Sequence, residues 1–271
     1  ELMRIHWFLS YAIIHSNGAT NKQRFLNYRK YSTKENIKMA NSPSHKFGQM
    51  LGDFFEEQIV SYFRKNINNA FYVDYKHSRP ARNGKKEVKW KDEKGNEHKL
   101  DIVIEKGGTE KKLGIPKAFI EVAWRNYEKH SKNKAQEISG AIIPLIKTYS
   151  QLTPFYGCVL GGVFTDNSQK QLISEGFVIT YFDKKTLSNV FEAYGINIFW
   201  KDDTKEEDFE KRIGVFGSVL QFKKEKLEED FQLLLMQGMK QFMKDLKKIL
   251  ENKIARILIY TFYGKTIDRI Q

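Results

Sequence analysis

Cysteine is almost missing from this sequence. Cys158 stands alone among 271 residues, which excludes an intramolecular disulfide and any multi-cysteine zinc site. Prolines number five, against 41% hydrophobic and 14% aromatic residues, so the composition is that of a folded chain. Long apolar runs are also absent. The stretch from Trp7 to Ile14 is too short to span a bilayer, and no small-residue cleavage site follows it. The expectation is a cytoplasmic protein with no membrane partner. There is no GxxxxGK[ST] loop, and the pairs Gly107-Gly108 and Gly161-Gly162 are isolated, so no nucleotide cofactor is expected. The six histidines show neither paired metal-ligand spacing nor an HExxH helix, which speaks against a zinc hydrolase. Acidic residues are in deficit too. The 33 Asp and Glu face 46 Lys and Arg, a net charge of +13, and a balance this basic predicts a polyanionic partner, nucleic acid first.

The pattern along the chain predicts an α/β fold. Residues 1–45 read as a short apolar segment followed by a polar, basic linker. From Lys46, Phe47, Met50, Leu51, Phe54, Phe55, Ile59, Tyr62 and Phe63 recur at spacings of three and four, an amphipathic helix ending near Lys65. Extended runs follow at Glu87–Trp90 and Lys99–Glu105 around the turn formers of 91–96, which suggests a hairpin. Within Lys99–Glu105, Leu100, Ile102 and Ile104 alternate with Asp101, so Asp101 is expected on the opposite face. Ala118–Trp124 reads as a central strand. A helix capped by Ser131 follows through Ala135, Ile138, Ile142 and Ile146, with Pro144 as a kink. Further strands are expected at 155–164 and 177–182, and helices at 167–175 and 187–194. A globular core thus spans 46–200, and 201–271 forms a mainly helical C-terminal subdomain. The apolar stripe from Leu227 to Leu250 reads as one long helix over 224–253, and 256–263 as a last strand.

Two carboxylates stand out. Asp101 and Glu121 fall on strands expected to be neighbours, and such a pair can converge on a divalent cation that prefers oxygen ligands. The segment from Trp124 to Lys134 follows at once, with Arg125, Lys129, His130, Lys132 and Lys134 among polar donors. Cations near a helix N-terminus oppose the macrodipole and need another reason to be there, and phosphate binding supplies one.

Leu100-Asp101, a spacer, and Glu121-Val122-Ala123, in the order helix, hairpin, strand, helix, resemble the PD-(D/E)xK nuclease superfamily over residues 46–200. The resemblance implies a restriction-endonuclease-like mixed sheet flanked by helices. It also implies Mg²⁺ held by Asp101 and Glu121, and a lysine two residues after the glutamate that orients the attacking water. Here Ala123 occupies that lysine's position, and Leu100 stands where the family has proline. Three readings of Ala123 follow. The lysine has migrated to the next segment, with Lys129, Lys132 and Lys134 as donors; this copy does not need it; or the substitution inactivates the chain. On the first helix the rim glutamate Glu57 is a candidate auxiliary ligand, with Glu56 pointing outward.

The run from Lys76 to Lys86 combines turn formers with five Lys or Arg side chains, a basic loop in which Arg79 and Arg82 are placed to clamp phosphates or read guanine edges. Asp74 and Glu105 read as surface charges. Cutting both strands of a duplex takes two sites, so a homodimer on double-stranded DNA is expected. The leading expectation is a sequence-specific, Mg²⁺-dependent type II restriction endonuclease. A structure-selective repair or junction nuclease, and an inactive DNA-binding protein on the same fold, are the alternatives.

Overall fold

A computed structural model describes residues 42–251 and the backbone of two further strands, 256–260 and 266–270. The expectations for the N-terminal segment and most of the linker lie outside the described residues. Helix α1 (Pro43–Asn66) begins three residues before the hydrophobic pattern does. The Ser42 side chain accepts a hydrogen bond from the His45 amide and Pro43 occupies the first turn, a combination suited to the orphan amides of a helix start.

Strand β1 (Phe71–Tyr75) is followed by the basic loop and a small two-stranded hairpin, β2 (Val88–Lys91) with β3 (Glu97–Leu100). The chain then breaks at Asp101 and enters the main sheet as β4 (Ile102–Lys106). Strand β5 (Ile115–Arg125), helix α2 (Ser131–Thr148), β6 (Phe155–Gly162), α3 (Asp166–Ser174), β7 (Val178–Asp183) and α4 (Lys184–Glu192) complete the core. The sheet order is β1-β4-β5-β6-β7. The pairs β1–β4 and β4–β5 are antiparallel, whereas β5–β6 and β6–β7 are parallel. The protein is therefore α/β, with a mixed five-stranded sheet covered on both faces, as its nearly continuous apolar strands require.

The break at Asp101 changes which way the neighbouring side chains face. Ile102 and Ile104 join the core beneath α1, but Leu100 joins the opposite core with Val88 and Val103. The expected single alternation across Lys99–Glu105 fails because Leu100 belongs to the hairpin ladder and Ile102 to the sheet ladder. Asp101 is the bend between them.

One face of the sheet carries α1, α4 and three C-terminal helices, α5 (Glu206–Phe222), α6 (Lys224–Gly238) and α7 (Lys240–Leu250). Their buried side chains form one continuous cluster with α1 and the sheet, so residues 206–250 are a layer on the core and not a separate subdomain. The stripe expected as one helix is two. The chain re-aims at Gly238 and Met239, and a side chain at 238 would run into the Phe182 ring. The other face carries α2, α3 and the small hairpin. Pro144 lies within α2, and Ser131 is its first residue, its hydroxyl donating to the Glu128 carbonyl rather than capping the helix. The final strand expectation matches β8 (Arg256–Tyr260), which pairs with an unanticipated β9 (Thr266–Ile270). No described helix is long and apolar enough to cross a membrane.

Candidate active site

Register alone brings the two carboxylates together. Ile102 pairs with Ile120, so the next residues outward in an antiparallel ladder, Asp101 and Glu121, are opposite one another. They lock reciprocally. The Asp101 amide donates to Glu121 Oε1 at 3.1 Å, and Asp101 Oδ2 accepts from the Val122 amide at 2.9 Å. Beyond this point β5 has lost β4 as a partner, and the Asp101 carboxylate takes an amide that a longer β4 would have used.

Alternation along β5 sends Ala118, Ile120 and Trp124 towards α1, and Phe119 and Ala123 towards α2. Glu121 lies between the latter two and shares their face. It is 5% exposed. Burial, and then the neighbouring charge of Asp101, push its carboxyl well above the usual range, while Lys134 opposes them. Lys134 reaches over from α2 with its Nζ 3.7 Å from Glu121 Oε2 and 3.6 Å from Glu137. Of the three lysines expected to stand in at the Ala123 position, Lys134 therefore comes to the pair. Lys132 is exposed on the same helix, and Lys129 lies over the Tyr127 ring at 5.2 Å. Ala123 itself is 2% exposed in the core beneath α2.

Arg125 ends β5. It donates to the Trp124 carbonyl at 2.7 Å and stands 3.9 Å from Glu137. Burial lowers its pKa, and the charges of Glu137 and Asp101 work against that, so its guanidinium lies within the field of the pair. His130 is exposed at the end of a short 3₁₀ turn, its ring 6.3 Å from that of Tyr127.

On α1 the two glutamates exchange the places expected of them. Glu56 is half-buried and Glu57 exposed. The Glu56 carboxyl is pushed up to about 7, first by burial and then by the charge of Asp101, with Lys76 opposing. Glu57 feels Lys224 and Glu228 of α6 instead. Both lie on rims of the apolar stripe, but α1 is apolar on two sides. Phe55 faces Trp124 and Phe182 of the sheet, whereas Phe54 faces Phe191, Phe216 and Phe231 of the helical layer. Periodicity shows the stripe but not which border looks towards the strand ends. The sequence pattern thus misses Asp53, whose carboxyl is raised by burial against Lys76, points Glu56 outward, and shows Lys76 only as part of the basic loop.

The basic loop turns inward. Arg79 is fully buried. Its guanidinium meets both oxygens of Glu105 at 2.7 and 3.0 Å, Asp74 at 2.8 Å, and the carbonyls of Thr109 and Lys112. Arg82 pairs with Asp74 and donates to the carbonyls of Tyr75, His77, Lys85 and Lys86. Neither arginine faces a DNA groove. Asp74 and Glu105, expected at the surface, are both fully buried as their partners. A buried carboxylate needs a charged or multiply donating neighbour, and two here would require two such neighbours in this loop.

Among the described residues no three His, Cys, Asp or Glu side chains form a metal-holding group. The donors of the pair nevertheless suit a hard divalent cation, because a carboxylate held above its ordinary pKa by burial, and then by a second carboxylate, is relieved by added positive charge.

No protein-family model and no curated protein matches this sequence. A solved structure described as a protein of unknown function, AF1548, aligns with 74% of this chain and 99% of its own at 15% identity, with a TM-score of 0.32, too low to carry an argument.

Proposed function

We propose that this chain is a metal-dependent DNA endonuclease with a restriction-endonuclease-like core, in which Asp101 and Glu121 hold the cation and Lys134 takes the role of the motif lysine. The observation that carries this reading is the Lys134 ammonium 3.7 Å from Glu121 Oε2, beside a carboxylate pair cross-linked through backbone amides. Mg²⁺ bound there would polarise a phosphodiester and lower the pKa of its water.

The chain's own groups divide the remaining work. Lys134 orients the attacking water and holds negative charge as it develops. Arg125 and the exposed Lys129, His130 and Lys132 hold flanking phosphates, a sequence-independent grip consistent with the net charge of +13. Glu56, held near neutrality, borders the pair and adjusts its charge. One pair per chain makes a homodimer the arrangement for cutting both strands of a duplex.

A plasmid-nicking assay with Mg²⁺ tests this. Wild-type protein converts supercoiled to open-circular or linear DNA, and Asp101→Ala and Lys134→Ala do not. Defined fragments identify a sequence-specific enzyme, whereas cutting confined to branched or flapped substrates identifies the structure-selective alternative. Intact DNA with every substrate, at concentrations where the protein binds it, sinks the nuclease reading and leaves the inactive DNA-binding protein.

A further inference from the structure

A cavity of about 420 Å³ opens between the start of α4, the segment 197–204 and α5. That volume is within the range of small-molecule sites. Lys184, Lys201 and Arg212 line it against the single carboxylate of Glu192, with Ser188 as a polar donor and Phe199 as an apolar wall. Three cations gathered round one space repel one another unless an anion joins them. None of the three has an ion-pair partner among the described residues, although lysines elsewhere, such as Lys89 and Lys226, do.

Arg212 is half-buried, with Nη1 fixed by the carbonyls of Asn197 and Phe199 at 2.9 and 2.7 Å. Its Nε and Nη2 have no acceptor among the described residues. A guanidinium held at Nη1 and lying 5.9 Å over the Phe209 ring, with Nε and Nη2 donating to no described residue, is preorganised for a phosphate. Lys184 lies over the Phe199 ring at 4.7 Å, which places one ammonium at the junction of the charged and apolar parts.

The cavity is tied to the carboxylate pair. Asn126, next after Arg125, donates to the Trp200 carbonyl at 3.0 Å and accepts from its amide at 3.3 Å. Arg125 stands about 13 Å along β5 from Glu121 at strand rise, roughly four nucleotide steps of a B-form strand, and the cavity lies past it.

We propose that this cavity binds a nucleotide unit through its phosphate, held by Arg212, Lys184 and Lys201. The source is either a free mononucleotide or a nucleotide of a DNA strand passing the carboxylate pair. The second source rests on the nuclease reading; the first does not.

The full-length Asp101→Ala protein in EDTA, titrated with deoxyadenosine 5′-monophosphate and separately with a short single-stranded oligonucleotide, tests it by tryptophan fluorescence, since Trp200 lines the cavity. Saturable binding that weakens about tenfold or more in Lys184→Glu/Lys201→Glu, with unchanged melting temperature, supports the proposal. Binding of the mononucleotide identifies a free ligand; binding of the oligonucleotide alone identifies a strand site. No saturable response to either probe, or equal binding by the double variant, overturns it. Metal-free conditions separate this result from the cleavage assay, so either reading can fail without the other.

Discussion

Replacing Lys134 by methionine separates a catalytic ammonium from an internal counter-charge. Its Nζ lies 3.7 Å from Glu121 Oε2, and the two side chains are 18% and 6% exposed. At an effective dielectric near 20, the bare attraction at that distance is about 4 kcal/mol. Lys134 keeps some solvent and Glu121 can take up a proton, so the expected loss of stability is about 1–3 kcal/mol, measured by urea denaturation. If Lys134 orients the nucleophile, single-turnover cleavage falls by at least about a hundredfold. Divalent binding moves the other way. The ammonium repels a divalent ion on the same carboxylate, so Lys134→Met tightens Ca²⁺ or Mn²⁺ binding by about tenfold or more, measured by calorimetry. Faster dissociation of metal together with lost cleavage would show that Lys134 merely builds the site. Wild-type cleavage by Lys134→Met would refute its assignment outright.

Four further outcomes follow from the same geometry. Because the folded pKa of Glu121 is raised, stability without metal falls as pH rises above about 4.5, where the unfolded carboxyl ionises first, and the loss is complete once pH passes the folded value. Glu121→Gln removes that slope, so its melting-temperature advantage over wild type grows from pH 4.5 to pH 8 and shrinks on adding Ca²⁺; a pH-independent difference is the contrary result. Arg79→Met strands the buried Glu105, leaves Asp74 to Arg82 alone, and costs about 3–5 kcal/mol in chemical denaturation, whereas a folded variant with weakened DNA binding would restore the arginine to the interface. Glu56→Gln alters metal affinity and removes an inflection near pH 7 from the cleavage profile, and Glu57→Gln leaves both unchanged; the reverse pattern would return the auxiliary role to Glu57. Gly238→Ala forces the Phe182 ring aside and lowers stability by about 1–3 kcal/mol, read from its denaturation midpoint.

Much of the fold was legible because the elements that matter are long and strongly patterned. The α1 stripe, the apolar run of β5 and the alternation of helices and strands across 131–192 carry their own period. That Asp101 and Glu121 come close was legible because they fall on segments near in sequence that read as neighbours; the bend at Asp101 that sets their register was not. What escaped was decided by contacts between distant segments. Glu105 reads as a surface charge until the basic loop is seen to cover it. A run such as Lys76–Lys86 reads as a DNA-binding loop on charge alone, and nothing local shows that Arg79 and Arg82 turn inward to Asp74 and Glu105. Buried ion clusters are hidden from sequence in this way because each partner, taken singly, has the composition of surface.

The lysine question then becomes one of packing. Position 123 lies on the Glu121 face of β5, in a buried cluster that it shares with Ala135 of α2. A lysine there would have to thread its chain between the sheet and a closely applied helix, or hold the helix off. An alanine lets α2 settle, and that same approach carries Lys134, three residues after Ser131, to within 3.7 Å of Glu121. The small side chain on the strand and the ammonium on the helix are thus two parts of one arrangement. Ala123→Lys in the Lys134→Met background tests their exchange. Partial recovery of cleavage at reduced stability is expected, because the new chain overpacks the α2 interface while aiming its charge at the same carboxylate. If the double variant stays inactive while folded and metal-bound, position 134 has no substitute on the strand.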